Sequence, residues 1–487
     1  MKKSVSKSPL TKKIHIPTTT EMIKFFLIFF AGSLFISVVM AAASGGESWK
    51  YMLFHNGPYT DMYMDFFNSI RDGGSDNVYS ERNNIYPPLC VLIFRIFSKL
   101  ISPDLVSTHF KQRTRLQADQ ICMIIYILFA LICIMSMIRL IESYANMKTQ
   151  GKMKTQAAII SFAMIICYPV MFCLERGNIL ILSVILAMFF IFFKDSENKI
   201  IRELSYIALA FSAAIKLYPA IFGLTLIIEK KYKEAARLML YGILVVGLPI
   251  VFFLDEFRSE PASIAATFAP LLKIGTGITT DAETTSIFEK LVKNLLNFAV
   301  NKKSSLNFSS VSVQNFVFMA KGDATVAKII CAVTELMAVF CAFTTKSEWK
   351  KAFLLSYLML NIPSASNSYA LSFLLIPFYI FLFGTSEYEK KDWIHLGLFA
   401  LLLTPLPTLW FYHPEGVKAL AKALGLYYNT QLNQNIATFV FQLLFAFIFI
   451  ETIIYFIKNI KNKKVKVTDI AEESDAENNY PGEEATA

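Results

Sequence analysis

Two aspartates four residues apart stand in a long polar segment near the N-terminal end of the chain, GPYTDMYMDFFNSIRDGGSDNVYSERNNIYPPL. Asp61 and Asp65 would share one face of a helix, because side chains at positions i and i+4 are neighbours on a helix surface. A carboxylate with suitable geometry and pKa accepts a proton from an attacking hydroxyl group. The pair predicts a general base, and the alternative is a solvated, helix-capping or salt-bridged pair.

Lys216 stands near the centre of the apolar stretch SYIALAFSAAIKLYPAIFGLTLII. A charged side chain in the middle of a membrane span costs about 2.5–3.5 kcal/mol on insertion scales, and such residues usually face a cavity or an anionic partner. Pro219 follows closely and frees a backbone carbonyl, which favours a bend in the helix. These features predict a functional cation, and the alternative is a structural ion pair.

Three further motifs interrupt or begin apolar segments. Glu175–Asn178 joins two apolar runs, as a headgroup or phosphate contact or as a plain polar hairpin. The run Asn361–Tyr369 places small hydrogen-bonding side chains between apolar segments, where they would hold a sugar or form a plain turn. The motif Tyr86–Leu89 begins an apolar run with two prolines, which a helix tolerates in its first turn.

The composition indicates whether these residues belong to a water-soluble protein or to a membrane protein. The chain has 487 residues, of which 55% are hydrophobic and 17% charged, and its mean hydropathy is +0.48. Repeated apolar runs of about 17 to 25 residues match the helix length that crosses a lipid bilayer. The sequence therefore predicts an all-α, polytopic membrane protein.

The apolar runs divide into about twelve predicted membrane spans. They cover residues 22–43, 86–102, 120–142, 156–174, 178–194, 203–229, 237–254, 325–344, 352–363, 367–384, 393–411 and 435–457. Lysines before the first span and after the last predict cytoplasmic N- and C-termini. The long loops 44–85, 255–324 and 412–434 then lie outside, whereas loop 143–155, with three lysines, falls outside against the charge rule. Re-entrant segments at 86–102 and 352–363, or a split of 203–229 around Pro219, would change the middle of this map.

The sequence divides into three predicted regions. Residues 1–21 form a basic cytoplasmic segment, and the apolar run that follows lacks a small-residue cleavage site and is expected to be an anchor. Residues 22–457 form the membrane-embedded domain. Residues 458–487 form a cytoplasmic tail, first basic and then acidic, that is expected to be disordered.

Charge and motifs exclude several classes of function. The net charge is +10, but the basic residues cluster at the ends of apolar runs and not on one soluble face, so no nucleic-acid partner is expected. The chain has no phosphate-binding glycine loop and no HExxH motif, which gives no indication of an ATP-driven machine or a zinc protease. The seven cysteines lie in or beside apolar runs and are expected to be packing residues, and no metal ligands are predicted.

The order of the motifs resembles glycosyltransferase family 87, a group of C-type integral membrane glycosyltransferases. The resemblance rests on an outer-loop aspartate, NVYSERNNIYPPL, ERGNILILSVIL, AAIKLYPAIFGLTLIIEKKYKEA, NFSSVSVQNF and NIPSASNSYALSFLLIPF, and spans roughly residues 55–380. Its most specific parts are YPPL and the K-x-x-P segment that ends in a basic cluster. The family has Gly-Gln-x-Asn where this chain has Glu175–Asn178, and a His-Tyr pair where this chain has Asn367-Ser368-Tyr369.

The resemblance implies a GT-C type fold and an enzyme of the cytoplasmic (plasma) membrane. It implies transfer of a hexosyl, mannosyl-like group from a polyprenyl-phosphate sugar to a glycolipid or cell-envelope glycan on the outer face, with inversion at the anomeric carbon. Asp61 fits the family's base by its distance to Gly73 and Tyr79, and Asp65 is the second candidate. Lys216 and Arg176 are candidates to neutralise the leaving phosphate. The predicted residues that bind substrate or phosphate are Lys216, Arg176, Asn178, Tyr86, Ser366, Asn367 and Tyr369.

The same motifs and the family resemblance predict the binding partners of the protein and leave one alternative function. The expected partners are the lipid-linked donor, a lipid or glycan acceptor and membrane lipids; no cofactor is predicted, and assistance by a divalent cation is left open. The alternative function is a flippase or transporter of polyprenyl-linked saccharides. That class favours paired half-repeats and charges spread over several spans, whereas this chain has one strong mid-span charge.

Overall fold

A computed structural model describes most of the chain. The described residues are 16–43, 45, 62–82, 84, 86–107, 114–259, 324–361, 368–406 and 432–477, with the backbone alone at 324–331, 368, 432–436, 438 and 461–477. These residues form helices and connecting turns, with no β-strand among them. The predicted all-α class is confirmed.

Eighteen α-helices, some of them continued by 3₁₀ or π turns, make up the described residues. They are α1 (Thr19–Ala43), α2 (Met64–Gly73), α3 (Pro88–Ser98), α4 (Pro103–Val106), α5 (Thr114–Ala118), α6 (Gln120–Thr149), α7 (Lys154–Ile165), α8 (Tyr168–Arg176), α9 (Leu180–Phe193), α10 (Lys199–Ile215), α11 (Leu224–Ile228), α12 (Tyr232–Gly247), α13 (Leu254–Ser259), α14 (Ala324–Thr344), α15 (Glu348–Asn361), α16 (Leu375–Tyr379), α17 (Asp392–Leu403) and α18 (Leu432–Glu477). The 3₁₀ segments are Tyr218–Gly223, Leu248–Phe253 and Ser368–Leu374, and a π segment covers Ile380–Gly384.

Several helices have the length and apolar composition of membrane spans. Among the described residues, four are long and apolar enough to cross a bilayer, or five if the bent pair α7 and α8, with 49° between its helices, forms one span. The remaining apolar helices have 10–17 residues. The protein is therefore membrane-embedded, but the predicted count of twelve spans is not confirmed.

The outer surfaces of these helices carry large apolar side chains. Ile28 and Phe35 on α1 are 73% and 69% exposed, and Ile132 on α6 and Phe162 on α7 are 66% and 65% exposed. Exposed apolar side chains at this density are unfavourable in water and are satisfied by lipid tails. The aromatic core lies on the opposite faces, where Phe26, Phe378 and Tyr357 are fully buried.

The predicted span 203–229 is interrupted at Lys216. Helix α10 ends at Ile215, and Lys216 has an extended backbone with φ −142° and ψ 122°. Pro219 disfavours the α conformation at the preceding residue and cannot donate to the carbonyl four residues earlier. The chain continues as the 3₁₀ segment Tyr218–Gly223, so Lys216 lies at a helix end and not inside a continuous span.

Helix α3 is much shorter than the span predicted at 86–102. Its 11 residues rise only about 16 Å, roughly half of a hydrocarbon core. It packs closely against α2, where a Cβ on Gly73 would lie 2.8 Å from the backbone nitrogen of Arg95. The Arg95 side chain donates to the carbonyls of Gly73 and Ser75 at the end of α2. The two short helices form one packed unit beside the longer ones.

One long-range contact contradicts the predicted crossing map. Asp65 on α2 forms an ion pair with Arg176 at the end of α8. The map placed the first loop outside and the 175–178 turn inside, and both placements cannot be correct. The map counted a crossing at α3, whose helix has only 11 residues, because the length of an apolar run does not reveal where its helix begins and ends.

A second set of charged residues lies at the other ends of these helices. Lys194 and Lys231 each pair with Asp195 and Glu229, which connects the end of α9 with the start of α12. Burial raises the pKa of Asp195, but the charges and hydrogen bonds of Lys194 and Lys231 outweigh burial and lower that pKa below its ordinary value. These ion pairs therefore stabilise the folded protein at neutral pH, and this stabilisation is lost as pH falls through the lowered pKa of Asp195.

Helix α18 continues into the segment for which the sequence predicts disorder. It runs from Leu432 to Glu477, past residue 458, where the basic part of the predicted tail begins. Lysine has good helix propensity, and an existing helix extends at low cost. The helix therefore covers the basic part and the beginning of the acidic part.

Candidate functional site

The candidate site is built around the carboxylate of Asp65. Its Oδ1 accepts a hydrogen bond from an Arg176 guanidinium nitrogen at 2.7 Å, and its Oδ2 accepts one from the Asn178 amide at 2.8 Å. The Arg176 and Asp65 side chains are 21% and 18% exposed. Both carboxylate oxygens are thus held by donors from one tight turn, 111 residues further along the chain.

The turn that supplies these donors is a helix C-cap followed at once by a new helix. Gly177 has φ +65°, and the amides of Gly177 and Asn178 donate to the carbonyls of Leu174 and Cys173. This left-handed glycine with two closing hydrogen bonds is a common way to end an α-helix. The Asn178 side-chain oxygen accepts from the Leu180 amide at 3.0 Å, so the same asparagine caps α9 and binds Asp65.

A second contact joins this turn to the segment before α2. The Tyr63 amide donates to the Glu175 carbonyl at 2.8 Å. Gly177 lies so close that a Cβ at this position would be 2.8 Å from the Tyr63 carbonyl oxygen and 2.9 Å from its Cα. The absence of a side chain at residue 177 is therefore required both by its φ and by the neighbouring backbone.

Lys216 and Tyr86 extend the site on the side of Asn178. The Lys216 ammonium nitrogen lies over the Tyr86 ring, 4.1 Å from its centroid, which is a favourable cation–π distance. The Tyr86 hydroxyl is 3.5 Å from the Asn178 amide nitrogen. Lys216 is half-buried and forms no ion pair with any described residue, although the Asp65 charge acts on it. It is thus a cation held in place by a ring and not by a carboxylate.

Glu256 positions the loop that carries Tyr86. This buried carboxylate accepts from the backbone amides of Tyr79 and Ser80 at 2.6 and 2.8 Å. The Tyr79 hydroxyl in turn donates to the Tyr86 carbonyl at 3.1 Å. Sequence reasoning did not identify Glu256, because 177 residues separate it from its partner Tyr79 and no motif connects the two.

Aromatic side chains border the site. The Tyr369 ring packs against Phe172 with 5.9 Å between centroids. Tyr218 packs edge-on against Phe373 at 5.9 Å, two residues after Lys216. Tyr218 was not among the predicted site residues, although it stands directly before the proline of the K-x-x-P segment, and this position could have identified it.

The structure brings together most of the predicted site residues. Those that meet in this cluster are Asp65, Arg176, Asn178, Tyr86 and Lys216, and Tyr369 packs against Phe172 on the helix that carries Arg176. Asp61, Ser366 and Asn367 lie outside the described residues, so their placement stays a prediction. Among the described side chains, no group of three or more His, Cys, Asp or Glu could hold a metal ion.

The arrangement suits an anionic substrate that also carries hydroxyl groups. Arg176 is neutralised by Asp65, whereas Lys216 is not paired within the described part of the chain and can neutralise an incoming negative charge. Phenol and amide groups beside it can donate to and accept from hydroxyl groups. These features define a helical membrane protein with a polar, partly enclosed site at one end of its helices.

The family comparison identifies the class of chemistry. The model of glycosyltransferase family 87 matches residues 84–360, more than half of the chain, and the chain belongs to this family. The resemblance noted from the motifs is confirmed, and the protein is a glycosyltransferase. Tyr86, Arg176, Asn178 and Lys216 lie within the matched residues, whereas Asp65 precedes them and Tyr369 follows. No curated protein and no solved structure matches the chain.

Proposed function

We propose that the protein transfers a hexosyl, mannosyl-like group from a polyprenyl-phosphate sugar to a glycolipid or cell-envelope glycan, with inversion at the anomeric carbon. The observation that carries this proposal is the half-buried Lys216, which pairs with no described carboxylate, beside the Asp65–Arg176 ion pair at one end of the membrane helices. A lipid-linked donor enters such a site from the bilayer with its phosphate at the bilayer surface. Family membership favours a transferase over the flippase that the sequence left open.

The leaving phosphate is assigned to Lys216, with Arg176 as a second cation. As the bond between the anomeric carbon and the phosphate oxygen breaks, its electron pair passes to that oxygen and the phosphate gains negative charge. A fixed cation in a partly enclosed site stabilises this charge more strongly than water does. Lys216 is better placed for this role than Arg176, whose guanidinium is already bound to Asp65.

The base that activates the acceptor is assigned to Asp61, with Asp65 as the second candidate. The acceptor oxygen attacks the anomeric carbon on the face opposite the phosphate, which gives inversion, and the carboxylate takes the hydroxyl proton. Both oxygens of Asp65 already accept hydrogen bonds from Arg176 and Asn178, which suits a residue that positions these two groups. Asp61 is four residues earlier in the same segment and is therefore assigned as the general base.

The proposed orientation places this site outside the cytoplasmic membrane. Two features support it: the site is at the end opposite the Lys194 and Lys231 cluster, and basic residues favour the cytoplasmic side. If α3 does not cross, the chain reverses at Lys216 and returns through Tyr218–Ile228, since Lys216 lies at the candidate site and Lys231 in the cluster at the other end of the helices. Loop 143–155 with its lysines then lies inside, and Asp65 and Arg176 share the outer side.

Asn substitutions distinguish the two carboxylates. We expect Asp61→Asn to lower the transfer rate about 1,000-fold, because a general base contributes about 10²- to 10⁴-fold. Asp65→Asn is expected to lower it about 10- to 100-fold, through loss of order at Arg176 and Asn178. The measurement is transfer of radiolabelled sugar by purified variants in matched amounts, with thermal unfolding as the test of folding.

Asp104→Asn is the matched control, since it removes the same charge from an exposed residue on α4. It should leave transfer unchanged. Complete loss with Asp65→Asn and a small effect of Asp61→Asn would reverse the two assignments. Full activity in both variants would remove the aspartates from the mechanism.

A further inference from the structure

A cavity lies at the end of the helices opposite the candidate site. It has a volume of about 180 Å³ and is bounded by the ends of α6 and α9, the start of α15 and parts of α11 and the π segment. Its charged lining residues are three lysines and two carboxylates, namely Lys148, Lys194, Lys351, Asp195 and Glu348. None of these residues takes part in the proposed transfer reaction.

The cavity has one positive charge that no described carboxylate offsets. Lys194 is bound by Asp195 and Glu229, and Lys351 pairs with Glu348 at 2.9 Å. Lys148 forms no ion pair with any residue that the structure describes, and its ammonium nitrogen lies 5.8 Å from the centroid of the Tyr144 ring. Lys148 is therefore the group in this cavity that is available to an anion.

The remaining walls are largely apolar and mostly buried, and Met147 at the edge is their exposed apolar residue. Tyr144 stacks on Phe192 with 4.0 Å between ring centroids, which gives the cavity a rigid aromatic wall. Met147, Ile191 and Ile380 line the same cavity, and Met147 is 46% exposed at its edge. Lys148 beside the exposed Met147 and the half-buried Ile191, at the end of membrane helices, matches a lipid, whose phosphate needs a cation and whose acyl chains need an apolar surface.

We propose that this cavity binds the phosphodiester headgroup of an anionic phospholipid from the leaflet opposite the candidate site, with Lys148 as its main cation. A phosphodiester carries one negative charge, which equals the charge that the lining leaves uncompensated. The Ser196 hydroxyl, which also lines the cavity, can donate a hydrogen bond to a phosphate oxygen. The bound lipid would connect α6, α9 and α15, so its effect is on the assembly of the helices and not on the transferred sugar.

Binding of phosphatidylglycerol to the purified full-length protein tests this proposal. We expect native mass spectrometry to show stronger binding of phosphatidylglycerol than of phosphatidylcholine with the same acyl chains. Lys148→Gln should weaken phosphatidylglycerol binding about fivefold, the usual contribution of one lysine near an anionic headgroup. Lys152→Gln is the matched control and should bind like the wild type. Lys152 is an exposed lysine just after the end of α6 and does not line the cavity.

Several outcomes would overturn the proposal. Wild-type affinity in Lys148→Gln, or equal binding of the two lipids, would show that the cavity does not select an anionic headgroup. An equal loss in Lys152→Gln would show diffuse surface attraction. Displacement of phosphatidylglycerol by millimolar inorganic phosphate would identify a site for a soluble anion.

Discussion

Replacing Lys216 with glutamine is expected to lower the turnover number for sugar transfer about 100- to 1,000-fold. A single preorganised group that stabilises developing charge contributes about this much to a transition state. Lys216 is the cation of the site that no described carboxylate neutralises, and the Tyr86 ring fixes its ammonium group at 4.1 Å. Glutamine keeps the length and polarity of the side chain, so the loss reports on its charge.

Two further variants separate catalysis from folding. Lys216→Arg retains the charge at altered geometry and should recover part of the activity. Lys199→Gln removes a lysine from the other end of the same helix, where the side chain is exposed, and should behave like the wild type. Initial rates at saturating donor, together with thermal unfolding, are the measurements. A Lys216→Gln enzyme within a few-fold of wild-type turnover would show that the leaving phosphate is stabilised elsewhere.

Gly177→Ala is expected to reduce transfer about 100-fold and to destabilise the protein by about 2–3 kcal/mol. A non-glycine residue in the left-handed region costs about 1 kcal/mol, and the new Cβ would also lie 2.8 Å from the Tyr63 carbonyl oxygen. Either the turn or the segment before α2 must then move. Because the flanking Arg176 and Asn178 hold Asp65, a shift of the turn separates the groups of the site.

Gly151→Ala provides the matched control for this effect. Gly151 also has a positive φ, +76°, but nothing lies within 4 Å of its Cβ position. The Gly151→Ala variant should therefore lose only the stability that a non-glycine residue costs at a positive φ, and it should retain its transfer activity. The comparison uses the unfolding temperature and the initial transfer rate of each purified variant. Equal losses of stability and activity in the two variants would mean that the contact between Gly177 and Tyr63 does not hold the site together.

Composition and local patterns predicted the all-helical fold class correctly and selected several residues that the structure places close together. Apolar runs of span length predicted membrane helices, and these were found in α1, α6, α12 and α18. Lys216 was predicted to be functional because a charged side chain in an apolar run is unfavourable unless it faces a cavity or a partner. The structure places it over the ring of Tyr86, another predicted site residue. These predictions depend on residues that are close together in the sequence.

The parts that were not predicted depend on contacts between distant segments. The pairing of Asp65 with Arg176 joins residues 111 positions apart, and no local pattern relates them. The apolar run around α3 is as long as a span, but its helix has only 11 residues. Where a helix breaks depends on packing and prolines as well as on hydropathy, so the crossing map was wrong in its middle part.

The most direct test of the proposed activity is the choice of sugar donor by the purified enzyme. Radiolabelled polyprenyl-phosphate hexoses and the corresponding nucleotide sugars would be supplied separately with membrane lipid acceptors, and the anomeric configuration of any product determined. We expect transfer from a polyprenyl-phosphate donor alone, with inversion, and its loss in Lys216→Gln. Transfer from a nucleotide sugar, or a product that retains the donor configuration, would contradict the proposed role of this site.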